Sequence, residues 1–148
     1  MKVAFACDHA GFDYKERIIE EIKNMGFEVL DFGCYGPQSV DYPDYAEAAG
    51  VAVIDGRADR GILICGTGVG VSIAANKVKG VRCALVHDHL TAQLCRQHND
   101  ANMISFGARI IGVEVAVECV RTFLTTDFIG GRHQRRLDKV AKIENKNL

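Results

Sequence analysis

No apolar run in this chain approaches the ~20 residues a membrane-spanning helix needs, so no transmembrane segment is expected. Charge of one sign is lacking too: the net of −1 argues against a general nucleic-acid binder. The six cysteines, at 7, 34, 65, 83, 95 and 119, never approach C-x-x-C spacing. The N-terminus shows no secretory-signal pattern: it runs directly into a strand-like segment, Lys2 to Cys7, followed by Asp8 and His9. Scattered cysteines without such a signal read as reduced thiols in a cytoplasmic protein, each by default a small buried hydrophobe. Internal repeats and low-complexity tracts are also missing.

What remains is ordinary in bulk and specific in pattern. At 148 residues, with 48% hydrophobic and 25% charged side chains, the chain has the size and composition of one domain with a real core. Short apolar runs alternate with helix-periodic segments. Strands are predicted at Val3 to Cys7, Phe27 to Phe32, Arg60 to Cys65, Val81 to Val86 and Asn102 to Phe106. Helices are predicted over 12–25, from Pro43 to about Ile54, a short one up to Lys77–Gly80, from Asp88 to Gln97, from Val113 to Leu124 and over 132–146. Gly26, Asp55-Gly56 and Gly130-Gly131 punctuate them. This alternation predicts an α/β, Rossmann-like three-layer sandwich built on a five-stranded parallel sheet. Ligands of such sheets bind beyond the carboxyl ends of the strands. The turns Asp8-His9, Cys65 to Gly70, His87-Asp88-His89 and Gly107 to Arg109 should therefore share one edge.

The third strand and its turn, Ile62-Leu-Ile-Cys65-Gly66-Thr67-Gly68-Val69-Gly70, carry the strongest signal. The spacing G-x-G-x-G at a third strand is not the dinucleotide fingerprint G-x-G-x-x-G at a first strand, although Asp88 lies about 20 residues on. A Walker A loop would end in a lysine that is missing here. A bare tight turn would need fewer glycines. An anion or oxyanion cradle of backbone amides fits best. Cys65 could be a core residue, but it stands at the strand's carboxyl end beside those amides, a setting that favours a thiolate. As thiolate it could serve as nucleophile or as base. Which of the five histidines could partner it is not fixed by spacing.

His98 lies in a polar connector, His98-Asn99-Asp100, where a histidine is either solvated or an acid–base group. His87-x-His89 lacks a third metal ligand, and Asp88 reads better as a helix N-cap. His9, at the first strand's end, is the better ligand contact. The segment 132–146 carries six basic against two acidic side chains. Arg132 and Arg136, four apart on one helix, can face the same phosphate.

Cys65 to Lys77, Arg96-Gln-His98-Asn99-Asp100 and Gly130-Gly-Arg132-His-Gln-Arg-Arg136 together resemble the type B ribose-5-phosphate isomerases. That group also holds the galactose-6-phosphate isomerase subunits. The likeness runs from Lys2 to about Glu144 and includes Cys7-Asp8-His9 and Val40-Asp-Tyr42-Pro-Asp. It implies interconversion of ribose 5-phosphate and ribulose 5-phosphate without metal or organic cofactor, by a homodimer or dimer of dimers. By position, Cys65 resembles the base, Thr67 the group assisting proton movement at the oxygens, and His98 the ring-opening acid–base. The amides of Gly66, Gly68, Val69 and Gly70 resemble the anion hole. Asp8, His9, Tyr42 and Asn99 resemble hydroxyl or phosphate contacts, and Arg109, Arg132 and Arg136 phosphate contacts. The family places its site at a dimer interface, with the His98-Asn99 and Arg109 segments expected from the partner and helix 132–146 reaching across. The galactose-6-phosphate subunits typically lack that histidine and arginine pair; their presence here favours the pentose branch. Competing expectations are an isomerase of another aldose phosphate (allose 6-phosphate, galactose 6-phosphate or a four-carbon sugar phosphate) and a non-catalytic phosphosugar-binding regulator.

Overall fold

A computed structural model describes residues 1–147. Five strands form one all-parallel sheet: β1 (Lys2–Cys7), β2 (Glu28–Asp31), β3 (Arg60–Cys65), β4 (Cys83–Leu85) and β5 (Met103–Gly107). They lie side by side in the order β2-β1-β3-β5-β4. Between and after them run α1 (Phe12–Asn24), α2 (Tyr42–Ile54), α3 (Val69–Ala75), α4 (His89–Gln97), α5 (Val113–Thr125) and α6 (Arg132–Lys146). Elements predicted from periodicity are all present. The second and fourth strands are shorter than their apolar runs because each is an edge strand with a single hydrogen-bonded neighbour.

Strand alternation divides the core into two layers. Val3, Phe5, Cys7, Ile62, Ile64, Ile104 and Phe106 face α1, α4 and α5. Ala4, Ala6, Leu63, Cys65 and Met103 face α2 and α3. Small residues dominate that second layer: Ala46, Ala49 and Ala52 of α2 lie against Ala4 and Ala6. Bulk on one face and alanine on the other let α2 come close to the sheet, so its first turn overhangs the carboxyl edge near Cys65.

The chain leaves β1 through α1 on one face and leaves β3 through α3 on the other. Neighbouring strands whose connections depart to opposite faces open a crevice between their carboxyl ends. That crevice lies between Asp8-His9 and Cys65 to Gly70. Helix α6 belongs to neither core cluster. Its Val140 and Ile143 are 50% and 61% exposed, so its apolar stripe is largely unused within the chain. Among the described residues no helix is long and apolar enough to cross a membrane.

Candidate active site

Cys65 ends β3 with its side chain buried. The backbone N–H of Gly68 donates to its sulfur at 3.1 Å. Gly68 has φ 79°, a conformation that strongly favours glycine. A Cβ there would lie 2.7 Å from the backbone carbon of Phe106. The Gly68 carbonyl meanwhile accepts from Ser105 Oγ at 2.9 Å. The central glycine is thus required by the turn itself, and the turn aims an amide at the thiol. Val69 N–H donates to Thr67 Oγ1 at 3.2 Å.

The flanking glycines serve a different purpose. A Cβ on Gly66 would sit 3.1 Å from an Arg109 guanidinium nitrogen. One on Gly70 would sit 2.7 Å from the Tyr42 ring. Arg109 and Tyr42 therefore close over the loop from either side. The loop backbone also holds the β5–α5 turn, since Arg109 N–H donates to the Gly66 carbonyl at 3.0 Å.

Across the crevice, Asp8 Oδ1 accepts from the N–H groups of Ala10 and Gly11 at 2.9 and 3.2 Å, which fixes the turn after β1. His9 Nδ1 accepts from Val40 N–H at 3.2 Å. That bond leaves the proton of the neutral ring on Nε2, as a donor.

Burial acts strongly on four of the other thiols. Burial pushes Cys7 and Cys83 up to about 12, and Cys95 and Cys119 up to about 11. Those four stay protonated near neutrality. The Cys65 sulfur, in contrast, takes the Gly68 N–H from the turn that follows its own strand.

The remaining candidates lie elsewhere in the chain. Helix α4 starts at the carboxyl edge, where Asp88 caps it through Thr91 N–H at 2.8 Å, as expected. It then runs antiparallel to the strands, so His98 and Asn99 emerge at the amino edge. There Asn99 O accepts from Arg82, which precedes β4. His98 stacks on His133 of α6, with ring centroids 4.3 Å apart and planes 12° apart. Arg132 and Arg136 share that helix and flank His133. Burial, then the neighbouring His98, Arg132 and Arg136, hold His133 below the ordinary imidazole range.

The candidate residues thus fall into two groups at opposite edges of the sheet. Asp8, His9, Tyr42, Cys65 to Gly70 and Arg109 occupy one edge; His98, Asn99, Arg132 and Arg136 occupy the other. The turn after β5 abuts the turn after β3 because the two strands are neighbours, so Arg109 covers Gly66 of its own chain. His87 and His89 are exposed; His89 Nδ1 meets Glu118 Oε1 at 2.9 Å and Thr122 Oγ1 at 3.0 Å, a tie between α4 and α5. Among the described residues no three of His, Cys, Asp or Glu gather as metal ligands. His133 escaped sequence reading because ring stacking between α4 and α6 is a tertiary contact with no spacing signature.

Residues 3–140 match the family described as Ribose/Galactose Isomerase. Ribose-5-phosphate isomerase B of Escherichia coli (strain K12) is 46% identical over 98% of this chain and 97% of its own length. The solved ribose-5-phosphate isomerase B of Clostridium thermocellum superposes with a TM-score of 0.98 at 46% identity, over 100% of both chains. That of Mycoplasma genitalium, solved with bound ribulose 5-phosphate, gives 0.93 at 44% identity, over 98% of this chain and 97% of its own. A thiol met by a loop amide at the crevice and a histidine–arginine cluster at the far edge are set on a fold shared along the whole chain, and the chain belongs to the ribose/galactose isomerase family.

Proposed function

We propose that this protein interconverts ribose 5-phosphate and ribulose 5-phosphate through an enediolate, in a site completed by two copies of the chain. The observation that carries the reading is the Gly68 N–H donated to Cys65 Sγ. It stabilises a thiolate at a crevice whose neighbouring loop can receive an oxyanion.

The furanose must open first. His98 of the partner subunit takes the proton of the C1 hydroxyl and a proton is delivered to the ring oxygen, breaking the C1–O4 bond and leaving an aldehyde. Cys65 then removes the C2 proton and returns it to C1. Charge develops on the sugar oxygens as the proton leaves, and preorganised donors there are commonly worth ~3–4 kcal/mol each. Amides of the Gly66 to Gly70 loop fill that role, Val69 N–H exchanging its 3.2 Å bond to Thr67 Oγ1 for a sugar oxygen while Gly68 N–H stays on Cys65. Thr67 moves the proton between O1 and O2. Asp8, His9, Tyr42 and Asn99 contact hydroxyls or phosphate, and Arg109 meets Arg132 and Arg136 of the partner at the phosphate.

The residues at the site supply base, acid and anion binding themselves, without a metal or cofactor. The exposed Val140 and Ile143 of α6 support a homodimer, with that helix lying on the partner. A cytoplasmic enzyme of pentose phosphate metabolism follows. The test is a coupled ribose 5-phosphate assay on metal-stripped protein, run beside six- and four-carbon aldose phosphates. Turnover over Michaelis constant should be highest for ribose 5-phosphate. Activity on another aldose phosphate alone would move the substrate; no activity and tight sugar-phosphate binding would make this a regulator.

A further inference from the structure

Asp100 follows the His98-Asn99 pair, and its backbone is strained for an ordinary residue, with φ 44°. Its carboxylate holds two guanidiniums: Oδ1 meets Arg96 Nη1 at 2.8 Å and Oδ2 meets Arg82 Nη2 at 3.3 Å. Both arginines also bind the turn's carbonyls. Arg82 Nε donates to Asn99 O at 3.0 Å and Arg82 Nη2 to Asp100 O at 2.8 Å. Arg96 Nη1 donates to Ala101 O at 2.7 Å, and Arg96 Nε to Thr126 O at 3.0 Å. Arg96 is only 6% exposed, so the carboxylate neutralises a nearly buried cation. The Gln97 carbonyl accepts from Ile129 N–H at 3.1 Å, next to the glycines that lead into α6. The end of α4, the approach to α6 and the start of β4 thus converge on one turn, and His98 sits inside it against His133.

We infer that Asp100, clamped between Arg82 and Arg96, is a positioning residue that sets the place of His98 for opening the sugar ring. This rests on the isomerase reading above. The carboxylate is committed to two protein cations, so it acts through His98 and not on the sugar. A left-handed residue directly after His98-Asn99 makes the chain reverse there, which keeps both side chains at the end of α4 and out of the following strand. Without the clamp the turn has looser alternatives, and a misplacement of about 1 Å at a reacting group can cost about a hundredfold in rate.

Ribulose 5-phosphate separates this role from general damage. Its C5 oxygen is esterified, so it cannot close to a furanose and needs no ring opening. Uptake of solvent deuterium at its C1 reports Cys65 and the loop alone. Asp100→Asn keeps a side chain that tolerates the left-handed backbone and removes the charge. Its kcat/KM on ribose 5-phosphate should fall about tenfold or more, with deuterium exchange into ribulose 5-phosphate falling less than about threefold. Arg82→Gln should show the same split, and it decides the matter if the Asp100 variant does not fold. Asp100→Gly removes the carboxylate and the backbone strain together. Full activity of Asp100→Gly on ribose 5-phosphate, or equal losses on both substrates in folded variants, would overturn the inference. A wild-type protein inactive on both sugars would instead overturn the isomerase reading beneath it.

Discussion

At the scale of single residues, the six cysteines divide by what touches the sulfur. Burial is the largest influence on Cys83, Cys95 and Cys119 and keeps them in the thiol form. Cys65 is also buried, yet it receives an N–H from a turn that cannot be built without Gly68. Two outcomes follow from that pairing. Cys65→Ala should lower turnover by about a thousandfold, within the usual span for losing a positioned base, while calorimetry finds sugar-phosphate affinity nearly unchanged. Alkylation by iodoacetamide should be fastest at Cys65 and slowed by ribose 5-phosphate, as read by peptide mass mapping; modification led by another thiol would remove the special status of Cys65. Gly68→Ala attacks the same pair from the backbone. The left-handed conformation costs an alanine about 1–2 kcal/mol, and here the Cβ also meets the Phe106 backbone. Urea unfolding should show at least that loss, with activity falling together with it.

At the scale of elements, helix α6 is the one whose place is least determined by its own chain. It is held to its own chain by His133, buried against His98, and by Glu144 Oε1, which accepts from Gly80 N–H at 2.9 Å. His133 titrates below its ordinary 6.5, chiefly through burial, so the undocked helix takes up a proton more readily than the docked one. Docking therefore weakens as pH falls through 6.5 and levels off once the docked ring titrates as well. Amide hydrogen exchange along α6, measured from pH 7.5 to 5 and corrected for intrinsic rates, should accelerate on acidification. His133→Gln should flatten that response; an unchanged slope in the variant would place the proton elsewhere. The same helix shows where sequence reading reached and where it stopped. The alternation of apolar runs with periodic segments made the sheet legible, because strands buried on both faces and capped helices leave local signatures, Asp88 among them. The carboxyl-edge cluster was legible too, since strand direction alone aligns Asp8, Cys65 and Arg109. What local pattern could not carry was the return of α4 to the amino edge, which parts His98 from Cys65. The cover of Gly66 by its own chain's Arg109, the His98–His133 stack and the two-arginine hold on Asp100 were equally hidden. Each is set by which strands became neighbours, and strand order is not written in any one segment.

At the scale of the whole molecule, the opposite placement of Cys65 and His98 lets the proposed shared site be tested quantitatively. Cys65 lies at the carboxyl edge, and α4 carries His98 back along the sheet by about 13 Å, at ~1.5 Å per helical residue. If one site takes Cys65 from one chain and His98 from the other, a symmetric dimer holds two such sites, each mixed. Cys65→Ala and His98→Asn proteins should each be poorly active on ribose 5-phosphate alone. Unfolded together in equal amounts and refolded, about half of the dimers should be hybrids by random pairing. In each hybrid one site inherits both defects, and the other inherits the intact Cys65 of one chain and the intact His98 of the other. The mixture should therefore recover about a quarter of wild-type activity. Mixing without refolding should recover it only as fast as subunits exchange, which separates complementation from simple addition of residual rates. If both residues of a site came from the same chain, every hybrid would hold two singly damaged sites and the refolded mixture would show no more than the mean of its parents.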